Sequence, residues 1–281
     1  MEFVQFEDAG AFCDATEALL LRNEAENNLM FGLARRLAKN ASPVDLSAPP
    51  LLGVVQEDGA VLAAALMTPP HNLVLIAAPA PVIEYLAEAL HTRGIPLPGL
   101  IAPRKATDVF VDVWCRLTER QAFLGMAMRV YQLDQVHQVP VPSGHFAEAG
   151  EEDFDLLVRW MRGFREATGQ AATAVEEAVH NQLAHRQLFL WKNPKPVAMA
   201  AFARPTRNGI CINAVYTPPE QRCHGYATAL VAALSQRLLD AGWQFCCLFT
   251  DLSNPTPNSI YPKIGYRPVC DYAAYQFTQG G

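Results

Sequence analysis

Apolar positions along the second half of the chain follow two periods in turn. Spacings of three and four predict a helix over 154–166, led in by Glu151, Glu152 and Asp153, and a second over 175–186, with Gly169 breaking them apart. Alternation and short unbroken apolar runs then take over. Residues 188–191 and 197–203 read as a hairpin whose turn holds Pro194 and Pro196, and 210–217 as a third strand. Pro218 and Pro219 end that strand, and Gly225 leads into an apolar helix over 227–239 that stops at Gly242, a glycine placed for a C-cap. A buried strand over 245–250, a short helix over 255–264 and a strand near 272–277 complete an order with a β-α-β crossover in its middle.

The first half repeats this order with little residue identity. Helices over 11–21 and 25–38 precede a strand pair around the Glu57-Asp58-Gly59 turn and an apolar strand over 73–77. A helix over 82–93, a crossover strand near 98–102, a helix over 108–121 and a strand over 126–133 follow. Element order therefore predicts a divergent internal duplication. The fold class is α/β, with two layered domains, each a central mixed sheet flanked by helices. The polar, proline-bearing stretch 135–144 divides them, giving expected domains of 1–134 and 145–281 on either side of a linker.

Composition bounds this picture without redrawing it. With 281 residues, 51% of them hydrophobic, the chain is large enough for two ordinary cores. Its longest apolar runs, such as 61–67 and 73–79, fall far short of the ~20 residues that cross a bilayer, so no membrane span is expected. The start carries Glu2, Glu7 and Asp8 where a secretory signal has basic residues and an apolar core, which predicts a cytoplasmic protein. Cys13, Cys115, Cys211, Cys223, Cys246, Cys247 and Cys270 form no C-x-x-C pair. They read as reduced, mainly buried small hydrophobes, with neither a disulfide framework nor a zinc site. The histidines show no ligand spacing beyond a loose pair, His180 and His185, so no metal is expected. Of the formal charge of −6, residues 1–140 supply 10 Lys and Arg against 16 Asp and Glu, and residues 141–281 balance at 12 each. Neither half has the basic stripe that a phosphate backbone needs, so nucleic acid is not an expected partner.

Chemistry concentrates where the strand over 210–217 turns into the next helix, through Arg222, Cys223, His224, Gly225, Tyr226 and Ala227. Free amides at a helix start, reinforced by the helix dipole, suit a pyrophosphate, and small residues at Gly225 and Ala227 admit it close to the backbone. A second block, 254–268, follows the next buried strand with Asn254 before Pro255, then Tyr261, Lys263, Gly265 and Tyr266. Together the two blocks resemble the GNAT superfamily of N-acetyltransferases. Its acetyl-CoA loop reads R/Q-x-x-G-x-G/A, and its later helix reads N-x-x-x-x-x-x-Y-x-K-x-G-F/Y. Arg222, Gly225, Ala227, Asn254, Tyr261, Lys263, Gly265 and Tyr266 fall on those positions, and the resemblance covers 188–277.

The resemblance implies an acetyl-CoA-dependent N-acetyltransferase that moves the acetyl group directly to a primary amine, working as a monomer or homodimer. It puts the pyrophosphate on the amides from Arg222 to Thr228 and the pantetheine and thioester along Val215, Tyr216 and Thr217, between two strands that splay apart. It makes Tyr261 the general acid toward the departing thiolate. Asn254 serves as helix N-cap, as a coenzyme contact, or as both. The strand before the loop carries no acid, so the general base stays open among Glu166, Glu176, Glu177, His180 and Asp251. The acids of the second helix read as a solvated face. Two positions depart from the family pattern: Cys223 stands where glycine is common and His224 where a basic residue is. The first half has no R-x-x-G-x-A before its helix at Val82, which predicts a degenerate copy without cofactor. A longer acyl-CoA donor, or coenzyme binding without catalysis, are the alternatives.

Overall fold

The computed structural model describes residues 1–39 and 48–278. Two compact units emerge: Met1–Val130 with Thr250–Ser253 and Val269–Gly281, and Tyr131–Phe249 with Asn254–Pro268.

The first unit runs β1 (Glu2–Gln5), α1 (Ala9–Leu20), α2 (Asn28–Ala38), β2 (Leu51–Glu57), β3 (Ala60–Met67), β4 (Leu73–Leu75), α3 (Ala80–Thr92), β5 (Gly99–Pro103), α4 (Arg104–Thr118) and β6 (Ala122–Leu133), the last running on into the second unit. Asp58 and Gly59 turn β2 into β3 with φ of 50° and 79°, the left-handed pair that a tight hairpin demands. Along these strands alternate residues serve two cores. Val55, Ala63, Ala65 and Met67 pack with α3 and α4, whereas Leu52, Val54, Ala64 and Leu66 pack with α1 and α2. Burial on both faces is why the strands are apolar runs rather than alternating ones. β4 and β5 are parallel, with Leu73 opposite Leu100, and α3 makes the crossover between them.

The other neighbour of β5 is the last strand of the chain, β12 (Arg267–Phe277), antiparallel with Ala273 opposite Ala102. Phe277 reaches the α3/α4 core, its ring 6.1 Å from that of Trp114. The strand expected to close the domain 145–281 thus completes the sheet of the first unit, whose strand order is β1-β2-β3-β4-β5-β12-β6. Backbone pairing and the Phe277 anchor decide this, and neither is visible in the local pattern of 272–277.

The second unit runs β7 (His145–Glu148), α5 (Phe154–Ala167), α6 (Val175–Ala184), β8 (Leu188–Asn193), β9 (Lys195–Ala203), β10 (Gly209–Tyr216), α7 (Tyr226–Asp240), β11 (Phe245–Asp251), which ends in the first unit, and α8 (Pro255–Ile264). Its strand order is β11-β10-β9-β8-β7, antiparallel except for the parallel β10/β11 pair that α7 connects. Ile210, Ile212, Cys246 and Leu248 face α7, and Leu188, Leu190, Met199 and Ala201 face α5 and α6. Residues 135–144, expected as a linker, pack onto this unit. The His137 amide donates to the Ile264 carbonyl at 2.7 Å, Val136 and Val139 rest on the core, and Trp191 Nε1 donates to the Ser143 carbonyl at 3.1 Å. β7, four half-exposed residues at the sheet edge, has no periodic signature in the sequence.

Among the described residues no helix is long and apolar enough to cross a membrane. No group of three or more His, Cys, Asp or Glu among them is placed to hold a metal ion.

Candidate functional site: a forked strand pair and an uncapped helix start

β10 and β11 are in register only over Gly209, Ile210 and Cys211, opposite Phe245, Cys246 and Cys247. Both strands continue beyond, to Tyr216 and Asp251, without pairing to each other. A β-bulge lies just beyond the last paired residues. The register of β10 against β9 shifts between Asn213 and Tyr216, and Ala214 inside that interval has a left-handed φ of 49°. The bulge also reverses the facing of side chains. Before it, Ile210 and Ile212 point to the α7 core; after it, Val215 does, and Ala214 and Tyr216 turn to the α5/α6 core. Tyr216 lies against Trp160, ring centres 6.4 Å apart, and a Cβ at Gly163 would sit 2.6 Å from its hydroxyl. That contact explains a glycine in the interior of α5, a signal that the sequence itself carries.

Past the bulge, Thr217 and Pro218 lead into a short 3-10 turn, Pro219–Gln221, and then to α7. Arg222 Nε donates to the Thr217 carbonyl at 3.1 Å, so this exposed side chain braces the loop. Cys223 has φ of 65° and Gly225, the N-cap of α7, φ of 79°. The family-typical glycine missing at Cys223 is therefore missing where the backbone is left-handed, a conformation costly for a residue with a Cβ. No side chain caps the α7 start, and a Cβ at Gly225 would meet nothing within 4 Å. The amides of Tyr226, Ala227 and Thr228 thus begin a helix with no partner inside it, beside open space. Tyr226 itself is a core residue, its hydroxyl accepting from Asn193 Nδ2 at 3.0 Å, with the His224 ring stacked on its face at 5.5 Å.

On the other arm of the fork, Asn254 caps α8 by accepting from the Thr256 amide at 3.3 Å, with Pro255 at the first helical position. Pro262 stands inside the helix and Gly265 ends it with φ of 114°. Tyr261 is buried between the rings of Tyr131 and Tyr266, 6.0 and 5.8 Å away. The hydroxyls of its neighbours are spoken for: Tyr131 donates to Asn258 Oδ1 at 3.3 Å, and Tyr266 pairs with Ser235 Oγ at 2.9 Å. Among the described residues nothing hydrogen-bonds the Tyr261 hydroxyl. Burial first, then the nearby Cys211 and Tyr131, push that hydroxyl above the ordinary tyrosine range, so it is a proton donor at neutral pH.

Two more polar atoms near the bulge have no partner: Asn213 Oδ1 and Thr217 Oγ1 are both buried and unsatisfied. Such orphans are uncommon in a finished core. Of the residues considered as base, Glu166, Glu176, Glu177 and His180 are exposed on α5 and α6, and Glu176 is paired with Arg162. Asp251 Oδ1 accepts from the Ser253 amide at 2.8 Å and belongs to the first unit.

Residues 192–274 match the family model described as FR47-like protein. Several solved structures resemble the chain over nearly its whole length. A GCN5-related N-acetyltransferase from Sphaerobacter thermophilus aligns with a TM-score of 0.63 at 15% identity, covering 97% of this chain and 94% of its own. A GNAT-family acetyltransferase from Colwellia psychrerythraea gives 0.59 at 13%, covering 99% of each chain. A tandem GNAT protein from the clavulanic acid biosynthesis pathway gives 0.59 at 15%, covering 100% of this chain and 98% of its own. No curated protein matches the chain. In fold, then, this chain is similar to GNAT acetyltransferases over nearly its whole length, and its segment 192–274 is similar to the FR47-like family.

Proposed function

We propose that this protein is an acetyl-CoA-dependent N-acetyltransferase that passes the acetyl group directly to a primary amine. The bulged fork of β10 and β11, opening onto the uncapped start of α7, is the observation that carries the reading. One face of the fork offers backbone and the orphaned Asn213 and Thr217 oxygens to an amide-bearing arm, and the helix start offers amides to a pyrophosphate. In that reading Val215, Tyr216 and Thr217 line the arm, the amides from Arg222 to Thr228 hold the phosphates, and Asn254 fixes the start of α8 that carries Tyr261.

Acetyl-CoA supplies the activated acyl group. The chain supplies alignment, stabilisation of developing charge and proton management. In this reading a β10 amide at the bulge, where the register against β9 shifts between Asn213 and Tyr216, donates to an oxyanion held in the fork. The Tyr261 hydroxyl, protonated and without a competing partner, donates a proton to the thiolate leaving group. β10 itself carries no carboxylate, so the group that takes the acceptor's proton, directly or through water, lies off this strand.

Release of free coenzyme A, followed across a panel of primary amines, tests the reading. Turnover with acetyl-CoA that falls about 10²-fold in Tyr261→Phe, with KM for acetyl-CoA little changed, is expected. Binding without turnover, indifferent to Tyr261→Phe, would show a coenzyme-binding protein instead, and faster turnover of octanoyl-CoA would displace acetyl-CoA as donor.

A further inference from the structure

Cys211 and Cys247 are directly opposite each other on adjacent parallel strands, the last pair before β10 and β11 separate. Strand spacing puts their Cα atoms about 5 Å apart, inside the range a disulfide spans, and paired residues in a sheet project to the same face. That face is opposite the one on which Ile210, Ile212, Cys246 and Leu248 meet α7. Both thiols are fully buried, and Arg204 Nη2 donates to Cys211 Sγ at 2.9 Å. The Arg204 guanidinium is itself seated over the Phe249 ring, 5.3 Å from its centre.

We propose that Cys211 and Cys247 are a covalent modification site, at which a small hydroperoxide converts the two thiols to a disulfide across the root of the fork. Cys211 sulfur attacks the peroxide, the O–O bond breaks, and one oxygen stays on sulfur as a sulfenic acid while the alcohol leaves with a proton from solvent. Cys247 sulfur then attacks Cys211 sulfur, the S–O bond breaks, and water departs with the Cys247 proton. Two thiols lose two electrons in all, and the hydroperoxide is reduced to alcohol and water.

The two sulfurs are unequal in the way this sequence requires. A hydrogen bond from the Cys247 thiol, and then the Arg204 guanidinium, bring the Cys211 thiol down to about 6 against the cost of burial. Cys247 is raised, chiefly by that same hydrogen bond, and so keeps the proton it releases in the second step. Cys246, adjacent in sequence but on the α7 face, is pushed up to about 12 by burial and is excluded as the attacking sulfur. Beyond Cys211 and Cys247 the ladder between the strands has already ended, so a small oxidant entering there breaks no β10/β11 hydrogen bond.

Peptide mapping of the whole protein after hydrogen peroxide treatment, with alkylation in denaturant, tests this without any assay of transfer. A peptide carrying Cys211 linked to one carrying Cys247, two hydrogens lighter than their sum and released by dithiothreitol, is expected. Cys247→Ser should instead leave Cys211 as a sulfenic acid trapped by dimedone, and Arg204→Gln should slow oxidation roughly tenfold at neutral pH. The native protein should resist a bulky maleimide at Cys211. Recovery of Cys211 and Cys247 as free thiols while Cys223 is oxidised, or a link made to Cys246, would overturn the proposal. The wild-type map decides the matter even where a variant fails to fold.

Discussion

At the scale of single residues, a few backbone angles and ion pairs carry separable consequences. Cys223 sits at φ 65° in an exposed loop, where a Cβ costs about 1 kcal/mol that glycine does not. Cys223→Gly should therefore raise or hold stability despite the added freedom of the unfolded chain, measured as the urea midpoint, and leave coenzyme affinity intact. Asp271 on β12 accepts from Arg129 through both oxygens, at 2.6 and 2.9 Å, and these bonds hold its carboxyl below the ordinary value of 3.8. A depressed carboxylate stabilises the folded state above the ordinary value, and that contribution fades as pH falls through the lowered one. Asp271→Asn should thus lower stability at neutral pH by less than ~1 kcal/mol, the pair being partly exposed, and the difference from wild type should shrink toward about pH 3.

At the scale of elements, the feature that matters most is the break in β10. Ala214 adopts a left-handed φ of 49° while 4% exposed in the α5/α6 core, so the bulge rests on a small side chain in an unfavourable conformation. Ala214→Val adds branching where the backbone resists it and volume where the core is packed, and should cost about 2 kcal/mol and weaken coenzyme A binding. Ala214→Gly should retain binding. A calorimetric titration of coenzyme A against both variants checks this, and equal affinity in Ala214→Val would mean that the bulge does not shape the cleft. The helices on either side of the fork were legible in the residues: Gly225 before an apolar run, Asn254-Pro255 as cap and first residue of the next helix, Gly265 after it. The bulge was not, because nothing in Asn213-Ala214-Val215 departs from an ordinary strand.

At the scale of the whole molecule, the exchange of β12 changes what counts as a half. The first unit ends its own continuous stretch at Val130 but takes β12 as the neighbour of β5, with Phe277 in its core. A fragment of residues 1–134 would leave that edge of β5 unpaired and the Phe277 site empty, an exposed strand edge prone to association. It should therefore be aggregated or unfolded when produced alone, as judged by size-exclusion chromatography and circular dichroism, and become monomeric when residues 267–278 are joined to it through a flexible linker. A soluble, folded 1–134 would show that β12 is dispensable to the first unit.

The sequence by itself determined the α/β class and the repeated order of helices and inner strands, though not the edge strands β1 and β7, because periodicity, proline and glycine act within a few residues of where they stand. It also marked the loop at Gly225 and the helix bearing Tyr261, since helix starts and caps are local. What only the tertiary structure decided depends on residues far apart in the chain: the register that ends β10/β11 pairing at Cys211 and Cys247, the Arg204 contact beside it, and the partner of the last strand. Pairing between strands is chosen by burial and backbone hydrogen bonding across the sheet, and a strand reads the same in sequence whichever neighbour it takes.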